Sequence, residues 1–396
     1  MDIGKGINRK NTGSIKWKLI ESKVPEGQIV APMSIADLDF NFYSEGREKL
    51  LNYIRDAVLG YTQPTNSYYS AIINHYKKKF DMDLGKEDFV LSSGVILALF
   101  NAVRAFTKEG DEIAVFTPIY RPFVEAVNLQ NRKLVKCPLV NSNNRFQIDF
   151  ELFDEICKRK NLKLLIFCNP HNPGGRVWSR EELEKIDEIT RNNGVLVISD
   201  EIHGDIMLND NIHIPYFTIS EKSFENSIIC TSASKSFNIA GLSTANIFIK
   251  NPDLREAFNI EFSKIGFHGP NLVGIKATEI AYSDFDKWNG DLTIKLEQNH
   301  RILEEFFQKL EGFSVMKPDA TYLSFVNFEG FVKMNEMSVD EFYDFIEKEA
   351  FFFPSRGDQF GEDSKYYMRL NIGIDTELLI ENFERLKKAV DSVTKK

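Results

Sequence analysis

Between about residue 88 and residue 250 the chain alternates short, β-branched apolar runs with segments of helical period. This alternation constrains the fold most, because parallel strands cannot be joined by tight turns and need a covering crossover. Strands are expected at 89–91, 112–116, 133–138, 162–168, 195–199, 227–231 and 245–249, with helices at 95–106, 122–129, 150–158 and 181–192. The last of these helices opens with Ser179-Arg-Glu-Glu182, a capping box, and stops before Gly194. Runs such as Leu164-Leu-Ile-Phe-Cys168 are apolar on both faces, as a strand covered by helices on both sides must be. The expectation is an α/β chain: a large domain with a mostly parallel seven-stranded sheet flanked by helices. After residue 250 a helical block runs to about 310. Strands at 313–316, 321–327 and 368–372 then mix with helices at 339–350 and 376–393, the pattern of a smaller α+β domain.

Composition narrows the function classes. At 396 residues the chain has room for two domains, and its 43% hydrophobic and 27% charged content is that of a globular protein. Lys plus Arg is 49 against 58 Asp plus Glu, a net charge of −9, which argues against a general nucleic-acid binder. No apolar run approaches the roughly 18 residues of a membrane span, so no membrane partner is expected. The first ten residues carry no apolar stretch of the kind a secretory signal needs. Cys137, Cys157, Cys168 and Cys230 show no CxxC pairing, and the six histidines have no ligand spacing. A reduced, cytoplasmic setting without a metal site is the expectation.

Ligands in open α/β sheets bind outside the carboxyl ends of the strands. Three positions stand there: Asn172 in Cys168-Asn-Pro-His-Asn-Pro-Gly-Gly-Arg176, Asp200 in Ile198-Ser-Asp-Glu-Ile-His203, and Lys235 in Thr231-Ser-Ala-Ser-Lys-Ser-Phe-Asn238. Each has an ordinary reading by itself. An Asp at a strand end caps or turns, an Asn between prolines is turn chemistry, and a Lys in a Ser-rich loop is usually solvated. An amide, an acid and an amine delivered to one sheet edge by three crossovers are a different matter, since they can build a single pocket. No GxGxxG follows the first strand, which argues against a stand-alone dinucleotide dehydrogenase.

In order and spacing these motifs resemble those of the fold-type I pyridoxal-phosphate enzymes, the aspartate aminotransferase superfamily. The resemblance is closer to the branch of cystathionine β-lyases and cysteine-S-conjugate β-lyases, the cystalysin-like enzymes. It runs from Ala36-Asp-Leu-Asp-Phe40 through Leu59-Gly-Tyr-Thr62, Pro170-His-Asn-Pro-Gly-Gly-Arg-Val-Trp178 and Ser199-Asp-Glu-Ile-His203 to Ser234-Lys-Ser-Phe-Asn-Ile-Ala-Gly241 and Met368-Arg-Leu-Asn371. The division it implies is an N-terminal segment 1–45 that joins the small domain, a large cofactor-binding domain 46–289 and a small domain 290–396.

The resemblance also implies roles. Lys235 would hold pyridoxal 5′-phosphate as a Schiff base and later take the substrate Cα proton. Asp200 would pair with the ring nitrogen, Asn172 with the ring oxygen, and Tyr120 would stack on the ring. His203 stands where many aminotransferases place a Tyr, which points to the lyase branch. Ser93, Gly94 and Val95 sit between a strand and a helix, placed to meet the phosphate with backbone amides. Ser232 would add a hydroxyl, and Tyr61 would reach across from the second subunit of a homodimer with shared active sites. Arg369 would clamp the substrate α-carboxylate, assisted by Ala36 and Asn172.

The chain departs from the pattern in places. Ser243 stands where aminotransferases carry an Arg. Gly174 replaces a common Thr, an exchange expected to loosen the turn holding Asn172. Arg121 follows Tyr120 and is expected to bring a cation near the substrate side chain, and Ser355-Arg356 is unlike the usual glycine-tyrosine loop. The reaction expected is α,β-elimination on cystathionine, cysteine or an S-conjugate, giving pyruvate, ammonia and a thiol. Transamination of an amino acid is the alternative, and a catalytically inactive regulatory homologue is a third, which retention of both Lys235 and Asp200 disfavours.

Overall fold

The computed structural model describes residue 3 and residues 5–394. Its strands are β1 Phe89–Ser92, β2 Glu112–Thr117, β3 Lys133–Pro138, β4 Val140–Ser142, β5 Arg145–Gln147, β6 Leu162–Cys168, β7 Leu196–Asp200, β8 Ser227–Thr231, β9 Ala245–Phe248, β10 Ser314–Val315, β11 Leu323–Asn327, β12 Ser355–Arg356 and β13 Tyr367–Asn371. Among the described residues the large sheet has seven strands in the order β1-β9-β8-β7-β6-β2-β3. Neighbours from β8 to β3 pair in parallel, and only β9 runs against both of its partners. This is the mostly parallel seven-stranded sheet that the alternation predicts.

Burial explains the unbroken apolar runs. In β6, Leu164 and Ile166 join the core on one face with the helices Val95–Phe106 and Arg121–Asn128. Leu165 and Phe167 join the other core, with the helix Arg180–Asn192. Both faces of the strand meet buried apolar clusters, so the alternation of polar and apolar residues seen in half-exposed strands is absent. The helix Arg180–Asn192 begins at the expected box: Ser179 Oγ accepts from Glu182 N at 3.3 Å and Glu182 Oε2 accepts from Ser179 N at 2.8 Å.

Several elements differ from those expected, the short strand β12 among them. β7 ends one residue later, so Asp200 is the last strand residue rather than the first of a loop. A hairpin, β4–β5, also appears where no strands are expected. Its turn is Asn143-Asn144, both left-handed with φ of 53° and 59°, and Asn tolerates that conformation better than any other residue with a Cβ except Asp.

The helix Phe285–Phe307 leads into the second sheet, β10-β11-β13-β12, which is antiparallel throughout. The stretch around residues 33–39 lies against this sheet: Met33 N donates to Phe353 O at 3.0 Å, Asn371 N to Met33 O at 2.8 Å and Asp39 N to Gly373 O at 2.8 Å. No helix among the described residues is long and apolar enough to cross a membrane.

Candidate active site

The parallel strands β8, β7, β6 and β2 are neighbours, and adjacent strands lie about 4.8 Å apart. Their carboxyl ends therefore crowd into about 14 Å, three such spacings. There they deliver Lys235, Asp200, Asn172 and Tyr120 in that order. Because β9 is reversed between β1 and β8, β1 points the same way and adds the turn Ser93-Gly94 to the same edge. All six residues line one cavity of about 240 Å³, which Val95, His203 and Ala36 also line.

Lys235 Nζ donates to the carbonyl of Ala36 at 2.7 Å. Burial, with help from the nearby Arg369, pushes its pKa down to about 8. Burial pushes Asp200 the other way, up to about 7, against the opposing pull of the Ile202 N–H on Oδ1 at 3.1 Å and of Lys235. An acid and an amine both shifted toward neutrality and opening on one pocket mark a functional site. His203 is buried and held well below its usual pKa by desolvation, and then by Lys235 and Arg369. Its Nδ1 has no partner among the described residues, and its ring meets the edge of Tyr322 at 6.0 Å. Tyr120 has its pKa raised by burial and so stays a neutral phenol.

The opposite end of the cavity suits an anion. Gly94 is the N-cap of the twelve-residue helix Val95–Phe106 and sits at φ 98°, in the left-handed region that a Cβ would strain. No side chain caps this helix, so its first-turn N–H groups face the cavity and can meet a phosphate. Ser243 and Thr244 complete that wall.

Arg369 anchors the substrate side. NH1 donates to Asn172 Oδ1 at 3.1 Å, NH2 to Ser34 O at 2.8 Å and to Ser355 Oγ at 3.4 Å, and the guanidinium lies 4.8 Å over the Phe360 ring. It is buried, and burial pushes its pKa down to about 10. None of these contacts is a carboxylate, and Nε has no partner among the described residues. A desolvated cation in that state favours binding an anion. With Asn172 Oδ1 engaged by Arg369, the Asn172 amide NH₂ is left to donate into the cavity.

Several expected placements are corrected. Ser232 does not line the cavity: its hydroxyl donates to Thr244 O at 2.6 Å and accepts from Ser234 N at 3.1 Å, and Ser234 takes its place on the wall. Ala36 lines the cavity and gives its carbonyl to Lys235 and to Tyr322 OH at 3.0 Å, whereas a carboxylate, itself an acceptor, would call on the Ala36 N–H. Tyr61, expected to serve the site of a second copy, is fully exposed and lies outside the cavity of its own chain. Arg121 turns away to pair with Glu125 Oε1 at 2.7 Å, because its place at the start of a helix puts it one turn from that carboxylate. Gly174 does not loosen its turn. A Cβ there would fall 2.6 Å from Phe146 Cδ2 and 3.0 Å from His171 Nδ1, so neighbours already fill the space. Arg356 stacks on Tyr343 at 4.5 Å and pairs with Asp340 and Asp358.

Sequence reasoning missed Tyr322, Phe360, Ser34 and Asn238 as site-building residues. Asn238 lies inside a quoted motif, and its side chain clamps Leu38 and Phe40. The other three have no local signature, because their contacts come from across the fold.

The aminotransferase class I and II family model matches residues 48–386. A cystathionine beta-lyase, PatB, of Bacillus subtilis is 33% identical over 98% of this chain and 100% of its own length. The crystal structure of cystalysin from Treponema denticola, which contains a pyridoxal 5′-phosphate cofactor, superposes with a TM-score of 0.95 at 36% identity, over 99% of each chain. The PLP-bound C-S lyase from Staphylococcus hominis superposes with a TM-score of 0.91 at 30% identity, over 98% of each.

Proposed function

The chain belongs to the aminotransferase class I and II family, and from that premise we propose that it is a pyridoxal 5′-phosphate-dependent carbon–sulfur β-lyase acting on small amino acids. The single observation that carries this reading is that Lys235 and Asp200 open on one cavity beside a buried Arg369 with no carboxylate partner. The donor set fits the cofactor. Lys235 Nζ would supply the covalent attachment, Asp200 would pair with the ring nitrogen, Asn172 and His203 would serve the ring oxygen, and Tyr120 would cover the ring. The amides after Gly94 would hold the phosphate. When bound, the cofactor supplies an electron sink for the pair released at Cα.

The chain's own residues do the rest. Arg369 takes the α-carboxylate in a bidentate fork and so aims the Cα–H bond. Lys235, with its pKa pushed down to about 8, is neutral often enough near pH 7–8 to accept that proton. It can then return the proton to the sulfur that departs from Cβ. Hydrolysis of the remainder balances the reaction: cystathionine and water give homocysteine, pyruvate and ammonia. Asn172 bonds Arg369 through its Oδ1, and its NH₂ would be free to serve the ring, so substrate anchoring and ring alignment would share a side chain.

We read residues 1–45 as associated with the small domain 290–396, beside the large domain 46–289. A second copy of the chain is taken to cover Tyr61, and the four buried free thiols fit a reducing, cytoplasmic setting. The test is to incubate the purified protein with L-cystathionine and assay pyruvate and free thiol. Lys235→Ala is expected to lower the rate by at least about a thousandfold. Amino transfer that depends on a keto acid, without thiol release, would identify an aminotransferase instead.

A further inference from the structure

Just outside the cavity lies a lysine with no exposed side-chain surface. Lys16 Nζ sits 3.1 Å from Asp37 Oδ1 and 2.8 Å from Asp39 Oδ1, and Arg9 NH1 reaches Asp37 Oδ2 at 2.7 Å. Stripping water from such ions costs several kcal/mol each, and apolar packing of equal volume is often as stable. The cluster is therefore a poor device for stability alone, and its location suggests what else it does.

Asp37 directly follows Ala36, whose carbonyl receives Lys235 Nζ. Leu38, between the two carboxylates, is held by Asn238 through its N–H at 3.0 Å and its carbonyl at 2.8 Å. Asn371 Nδ2 donates to the carbonyls of Ile35 and Asp37 at 2.5 and 2.6 Å. Residues 36–39 thus form a strap with the reactive amine on one side and a cation cluster from the N-terminal segment on the other. We propose that Lys16 is a positioning residue for Lys235: by holding Asp37 it fixes the Ala36 carbonyl on the amine and neutralises a carboxylate that faces it.

The inference rests on the cofactor reading above. The charged groups that face Lys235 are Arg369, which lowers its proton affinity, and Asp37 and Asp200, which raise it; His203, Tyr120 and Tyr322 are neutral. Asp37 in turn faces Arg9, Lys16 and Asp39. Removing the cation leaves Asp37 with more uncompensated charge. Removing Asp37 itself does the opposite.

The experiment titrates the visible absorbance of the cofactor-loaded protein against pH. Asp37→Asn lowers the midpoint by about one pH unit, since Asp37 raises the proton affinity of Lys235, and Lys16→Met, which acts through Asp37, raises it by about half a unit. Arg9→Met, at a partly exposed position, gives a smaller rise, and Lys16→Arg restores the parent value. Opposite signs from the two partners are a signature that simple loosening of the fold does not produce. Unmoved midpoints, or shifts of the same sign in Lys16→Met and Asp37→Asn, overturn the inference. If Lys16→Met fails to fold, Arg9→Met and Asp37→Asn carry the same test. A protein with no visible band would instead overturn the cofactor reading as well.

Discussion

Asp200 carries the cost of its own burial. Burial pushes its pKa up to about 7 in the folded chain, whereas the unfolded chain releases the proton near the ordinary carboxylate value of 3.8. Between those values the folded state binds more protons, so this group makes stability fall as pH rises from 4 to 7. Below 4 the cost is absent, and above 7 it is fully present. Removing it with Asp200→Asn should stabilise the cofactor-free protein at pH 7.5 by at most about 4 kcal/mol relative to its effect at pH 4. Urea titrations of both proteins at the two pH values check this. An equal difference at both would mean that Asp200 titrates as an ordinary surface acid. Which residues carry chemistry was largely legible, since Lys235, Asp200 and Asn172 each follow or end a strand within a recognisable motif. Ser232 shows the limit: its position predicts a donor for the phosphate, but its hydroxyl goes to Thr244, a choice set by a backbone carbonyl twelve residues away.

At the scale of elements, the turn that presents Asn172 is held from both ends. His171 Nε2 lies 2.9 Å from Pro118 O, tying the turn to the loop before Tyr120. Arg176 Nε donates to Phe146 O at 2.7 Å, its NH2 meets Glu182 at 2.5 Å, and its guanidinium lies 4.8 Å over Trp178. Glu182 belongs to the capping box, so the start of the helix Arg180–Asn192 and the end of the turn share one carboxylate. Ser179→Ala is expected to cost about 1 kcal/mol, read from a denaturant titration. Gly174→Val should leave the fold intact but push Phe146 aside and weaken cofactor retention several-fold, measured as bound cofactor after dialysis; full retention would show that the packing there is slack. The inner strands of the large sheet, such as β6 and β8, were readable because they are apolar on both faces. The hairpin β4–β5 was not, because Asn143-Asn144 lacks the glycine that usually announces such a turn.

Across the whole molecule, the two sheets meet at the site. The Phe360 ring covers Arg369 while its carbonyl accepts from Ile119 N at 2.8 Å, so the segment before β13 is bonded to the loop that carries Tyr120. Val58, Leu59 and Tyr61 form a run of exposed apolar residues, more than a lone chain in water would favour. If a second copy covers them, Tyr61→Phe weakens cofactor retention on dialysis, and Leu59→Asp shifts the protein to half its mass in light scattering. Unchanged mass and unchanged cofactor content in these variants would remove the shared-site reading. Only the family resemblance of Leu59-Gly-Tyr-Thr62 pointed to such a contact, because periodicity and composition describe one copy and the residues that meet belong to two.

The reversed strand β9 has a consequence for ligand choice. It acts as a spacer, setting the turn at Gly94 and the carboxyl of Asp200 three strand intervals apart. The protein therefore works as a caliper with fixed jaws: a vitamin that lacks its terminal anion fills one jaw and leaves the other open. Discrimination against the unphosphorylated form is thus built into the order of the strands rather than entrusted to any one side chain.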